Sequence, residues 1–152
     1  MNNILSILIF APIVLAIPIL FFRDKDKLIK IYSLVVSTAV FGLSMYLFMM
    51  FNPANPEYQF MERFQWVKDF NTFYLLGVDG ISILMVILTA FIFPVTILGV
   101  WNSVNKRTKE FFFLLLLLQG GLFGVFLSLD LILFYVFWEL ILIPMYNRKS
   151  VV

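Results

Sequence analysis

The sequence predicts an all-α, polytopic membrane protein with five transmembrane helices, and three observations carry that expectation. The chain is 62% hydrophobic and only 13% charged, with a mean hydropathy of +1.01. Its Phe, Leu and Ile residues arrive in long unbroken runs, and its basic residues cluster between alternate runs. A soluble domain of 152 residues has too little interior to hide so much apolar surface. The solvent is therefore lipid.

The predicted spans cover residues 4–22, 31–51, 78–101, 111–129 and 131–146. At 1.5 Å per residue each reaches, or nearly reaches, across a hydrocarbon core of about 30 Å. The last is short, about 24 Å by the same rise, and Arg148 and Lys149 are placed to snorkel across the difference. The start, Met1-Asn2-Asn3-Ile4, lacks the positive region and small-residue cleavage site of a secretory signal, so the first run reads as a retained helix. Residues 147–152 form a polar, basic tail unlike what precedes them.

Loop charge sets the orientation. Arg23, Lys25, Lys27 and Lys30 follow the first span, Lys106, Arg107 and Lys109 the third, and Arg148 and Lys149 the fifth. The connection 52–77 has only Arg63 and Lys68, against Glu57, Glu62 and Asp69. By the positive-inside rule the basic clusters are cytoplasmic, giving an outside N-terminus and an inside C-terminus. That connection is also rich in aromatics, from Tyr58 through Trp66 to Tyr74. It reads as an interfacial segment with its rings at headgroup level, or as a packed extracytoplasmic hairpin.

The net charge of +2, spread over topology-setting clusters, does not suggest nucleic acid binding. With no Cys and no His, thiolate sites and imidazole ligation or acid–base work are excluded for this polypeptide. No phosphate loop, metal-ligand constellation or nucleophile triad is present either.

What remains is one ionisable group deep in a span. Glu139 lies in the otherwise apolar run 131–146, where a carboxylate costs a few kcal/mol, about 3 on insertion scales, and normally faces a partner or a water-filled path. Gln119, eleven residues before Asp130, and Glu139, nine after it, fall about 14–16 Å below the outer interface on adjacent antiparallel helices. A carboxamide can hydrogen-bond a carboxyl in either protonation state, so Gln119 is expected either beside Glu139 in a proton path or as interhelical glue. Tyr135, one turn before Glu139, can donate to it. Pro144 removes a backbone donor near the acid, or is simply a tolerated kink. Gly120, Gly124 and Ser128 form a small-residue stripe for close helix approach. Asp79 is expected to cap the third span, and Asp130 to sit at a turn.

Two blocks carry a family resemblance. Gly77-Val78-Asp79-Gly80-Ile81-Ser82 resembles a segment of the subunit M family of NADH:quinone oxidoreductase (respiratory complex I), which corresponds to mitochondrial subunit 4. So does Leu129-Asp130-Leu131-Ile132-Leu133-Phe134-Tyr135-Val136-Phe137-Trp138-Glu139, continuing into Ile143-Pro144-Met145-Tyr146. The resemblance runs from the N-terminus to about Tyr146. It implies an antiporter-like subunit without a redox centre, while NADH, FMN, iron–sulfur clusters and quinone are handled by other subunits. It implies that Glu139 is a proton-translocation residue paired with a Lys on a later helix, absent from this chain. On this resemblance the chain is expected to be a truncated N-terminal portion, inactive alone. Its expected partners are the lipid bilayer, other membrane-arm subunits and the missing C-terminal helices. Its expected place is the bacterial inner membrane, or the mitochondrial inner membrane if organellar. A cation/proton antiporter subunit, or a non-catalytic packing or assembly module, stands as the alternative.

Overall fold

The computed structural model describes residues 3–22, 25–69 and 72–147. Its helices are α1 (Ile4–Ala16), α2 (Asp26–Met50), α3 (Gly80–Gly99), α4 (Thr108–Leu127) and α5 (Leu131–Asn147). Between α2 and α3 stand two strands, β1 (Gln59–Val67) and β2 (Thr72–Val78). Four helical stretches are long and apolar enough to cross a membrane: Ile4–Phe21, Asp26–Met50, Gly80–Gly99 and Thr108–Leu127. The fifth, Leu131–Tyr146, is apolar but shorter. Arg23, Arg148, Lys149 and the rest of the expected tail beyond Asn147 lie outside the described residues.

The ends of the spans move for identifiable reasons. In the first, Pro18 has no N–H to give the Val14 carbonyl, and Ile17 donates to Val14 instead. The helix tightens there into a 3-10 segment, Ile17–Phe21. The second begins at Asp26, earlier than its apolar run, because Lys30 is buried and used. Its ammonium donates to the Trp101 carbonyl at 2.6 Å and to Asn105 Oδ1 at 3.3 Å. A cation thus satisfies carbonyl oxygens where α3 ends. The third span starts at Gly80, since Val78 belongs to β2 and Asp79 caps the helix.

The connection 52–77 is a packed hairpin and not a segment lying flat at the interface. β1 and β2 pair antiparallel, with irregularities between Gln59 and Glu62 and between Gln65 and Val67. Phe60 takes a positive φ of 55° in the first of these. The hairpin is stitched to the bundle at two places. Leu129 N–H donates to the Leu75 carbonyl at 2.9 Å, beside a bridge between Leu76 and Ser128. Gly77 lies so close to that turn that a Cβ would come 2.6 Å from Leu129 Cδ1.

The second attachment is a buried carboxylate. Glu62, 5% exposed, accepts from Leu5 N–H at 2.8 Å, from Ser6 N–H at 3.2 Å and from the Ser6 hydroxyl. These amides belong to the first turn of α1, where N–H groups have no partner within the helix and the dipole favours negative charge. Ser6 Oγ also lies 2.8 Å from the Tyr74 hydroxyl. Burial raises the Tyr74 phenol above its ordinary pKa; the Ser6 hydrogen bond opposes this and the Glu62 charge adds to it.

Two apolar clusters make the core. One joins Leu8, Val40, Val86, Phe123 and Phe137 toward the hairpin end. The other joins Ile19, Ile29, Ile97 and Phe112 toward the basic end. Since the helices alternate in direction, Lys25, Lys27, Lys30, Lys106, Arg107 and Lys109 gather at the end opposite the hairpin. This is the segregation the positive-inside rule describes.

Candidate functional site

α5 is placed by its contact with α4. A Cβ at Gly124 would overlap the Phe137 ring, and one at Gly121 would come 3.1 Å from Ile141 Cγ1. Ser128 folds its hydroxyl back onto the Gly124 carbonyl. Asp130 caps α5, accepting from Ile132 N–H at 2.9 Å and Leu133 N–H at 3.3 Å. The small-residue stripe serves two neighbours, because a Cβ at Gly120 would overlap Ile13 and approach the Ile9 carbonyl oxygen of α1 at 2.7 Å.

Phe137 therefore fixes which side of α5 faces inward, and Glu139, two residues and about 200° further round, faces out. Glu139 is exposed, as are Leu131, Ile132, Tyr135, Val136, Trp138, Leu142 and Ile143. One carboxyl thus stands on a bare, otherwise apolar helix face. Tyr135 stands one turn before it on the same exposed face. Trp138 stacks on Phe134, ring centres 6.0 Å apart, and flanks the acid without bonding it. Pro144 lies inside α5 and leaves the Leu140 carbonyl, next to Glu139, without its intrahelical donor.

Gln119 is not beside Glu139. It is fully buried, and among the described residues neither its Oε1 nor its Nε2 has a hydrogen-bond partner. The reason is helical phase. Gly121 and Gly124 present the α5 side of α4, and Gln119 lies about 200° from Gly121, away from α5. The expected carboxamide–carboxyl contact matches the two residues in depth but not in direction.

Asp79 accepts from Ser82 N–H at 2.6 Å and Ile81 N–H at 3.1 Å, capping α3. Those bonds, Ser82 first, hold its carboxyl below the ordinary value of 3.8. Sequence reasoning missed Glu62 and Lys30 as buried charges. No local pattern ties Glu62 to residues 57 positions earlier. The one available signal for Lys30 is its position a turn inside a helix start, at the junction of polar and apolar residues.

The family model for NADH-ubiquinone oxidoreductase chain 4, amino terminus, matches residues 5–125. NADH-quinone oxidoreductase subunit M of Rhodobacter capsulatus is 41% identical over 151 residues, covering 96% of this chain and 29% of the relative. F(420)H(2) dehydrogenase subunit M of Methanosarcina mazei is 32% identical, covering 96% of this chain and 29% of the relative. Among solved structures, a chain of the membrane-bound sulfane sulfur reductase, an archaeal respiratory membrane complex, matches with a TM-score of 0.75 at 21% identity. That match covers 95% of this chain and 22% of the other and speaks for the fold alone. The chain spans about 30% of the length of the curated relatives it matches. With the matched residues running through α1 to α4 and the hairpin between α2 and α3, the chain belongs to the NADH-ubiquinone oxidoreductase chain 4 family.

Proposed function

We propose that the chain serves a proton-translocating membrane subunit of NADH:quinone oxidoreductase, with Glu139 as a proton-relay residue. The observation that carries this is the placement of a single carboxyl about 12 Å along α5, on a face otherwise fit for lipid or for further helices. A carboxyl kept from water by lipid or by further helices changes protonation state as a cation approaches or withdraws, which is what a relay needs. Tyr135 acts as a positioning residue that orients the carboxyl, and Pro144 loosens the backbone beside it. On this reading, helices from the further length that the relatives possess cover this face and bring the cation. Redox groups sit in other subunits, in keeping with a chain that has neither Cys nor His. The electron donor is also set elsewhere, since relatives are named for NADH–quinone and for F(420)H(2) chemistry. The working location is an energy-transducing membrane, the bacterial inner membrane or the mitochondrial one.

The test uses inverted membrane vesicles containing the assembled complex, with NADH oxidation and proton uptake followed together. Glu139→Gln is expected to abolish most uptake, and Glu139→Asp to keep part of it. Normal uptake per electron in the Gln variant would overturn the proposal.

A further inference from the structure

Among the described residues, Gln119 leaves both carboxamide atoms without a protein partner, and so do the hydroxyls of Ser33 and Ser37. All three residues are fully buried. Buried polar groups in folded proteins find partners, and one left dry costs about twice what a typical bond contributes. In hydrocarbon no bulk solvent relieves that cost.

These groups lie on facing helices at related heights. α2 and α4 both start at the basic end. Ser37 is eleven residues past Asp26 and Gln119 eleven past Thr108, so each stands about 16 Å from that end. Ser33 is one turn nearer. Thr89, ten residues before Gly99 on the oppositely directed α3, is at about 15 Å, nine-tenths buried, and its hydroxyl already donates to the Met85 carbonyl at 2.8 Å. Direction agrees with height. Gln119 shares its face of α4 with Leu116 and Phe112, which belong to one cluster with Val36 of α2, Ile97 of α3 and Ala16 and Ile19 of the first span.

Size decides what can reach it. A side chain with no exposed surface cannot be served by a lipid headgroup, a neighbouring subunit or a later helix of a longer chain. Only a molecule small enough to sit inside the bundle can do so. We propose that α2, α3 and α4 hold ordered water at mid-depth, bonded to the Gln119 carboxamide and bridged to the Ser37 and Ser33 hydroxyls, with Thr89 Oγ1 as a further acceptor. A water needs two to four polar partners, and this level supplies them. The site is separate from the Glu139 face, which lies on the opposite side of α4.

The experiment is water-edited solid-state NMR on the full chain, labelled with side-chain ¹⁵N glutamine and reconstituted in phosphatidylcholine bilayers. Exposed Gln65 on β1 is the positive control, and Gln119→Leu identifies the Gln119 signal by its loss. Transfer from water to the Gln119 amide is expected at a rate approaching that of Gln65, slowed markedly in Ser37→Ala and less in Ser33→Ala. No transfer in the wild-type chain, with Gln65 responding, would overturn the proposal whether or not the variants fold. Transfer that both serine variants leave unchanged would overturn it equally, since the water would then lie elsewhere.

Discussion

Gly42 and Gly120 are both helical glycines, but they differ in what a methyl group would meet. Nothing lies within 4 Å of a Cβ at Gly42, whereas one at Gly120 runs into Ile13 and the Ile9 carbonyl. Gly42→Ala should therefore gain about 0.5–1 kcal/mol by reducing backbone freedom in the unfolded chain. Gly120→Ala should lose about 1–3 kcal/mol through overpacking. Thermal unfolding of the two variants in detergent micelles would show shifts of opposite sign. Asp79→Ala should cost about 1 kcal/mol by removing the α3 cap. The wild-type cap has a folded pKa below its ordinary value, so its stabilisation is complete above the ordinary carboxylate range. It is lost as pH falls through the lowered value, and the variant should show a flatter acid limb. At this scale the sequence displayed Glu139 by its cost and Asp79 by its position. It did not display the direction of Gln119, because depth follows from counting residues while rotation depends on which face the neighbouring helices occupy.

Among the elements, the hairpin shows where periodicity runs out. Its strands are aromatic, irregular in register, and flanked by spans whose apolar signal dominates any window. Rings at alternate positions fit an interfacial segment as well as a strand. Pairing between β1 and β2 is a tertiary fact, and so is the attachment through Glu62. Glu62→Ala should remove the acceptor of three donors in the first turn of α1 and cost about 1.5–3 kcal/mol. Hydrogen exchange at the Leu5 and Ser6 amides should accelerate, and β1 should become more sensitive to protease. Glu62→Gln, which keeps one carbonyl oxygen, should fall between the two.

For the whole molecule, composition and loop charge were enough to read class, the number of helices and the gathering of basic residues at one end, although only four of the five helices have the length of a span. Each of these is a sum over many residues and survives local error. Because the chain has no Cys, single introduced cysteines report topology cleanly. Ala54→Cys, in the exposed approach to the hairpin, should react with an impermeant thiol reagent added outside intact cells. Ser103→Cys, in the exposed α3–α4 turn, should react only after the cytoplasmic side is opened. The reverse pattern would invert the topology.

The Glu62 attachment also has a consequence for chronology. α1 leaves the ribosome before β1, yet the group that completes its N-terminus is carried by a residue 57 positions later. Until β1 has followed, the first helix resides in the lipid with its leading amides turned to headgroups and water, free to tilt and rotate. Translocation of the hairpin supplies the carboxylate and ends that freedom. The orientation of the first helix is therefore settled late in biogenesis, only after the second helix has threaded back across the membrane.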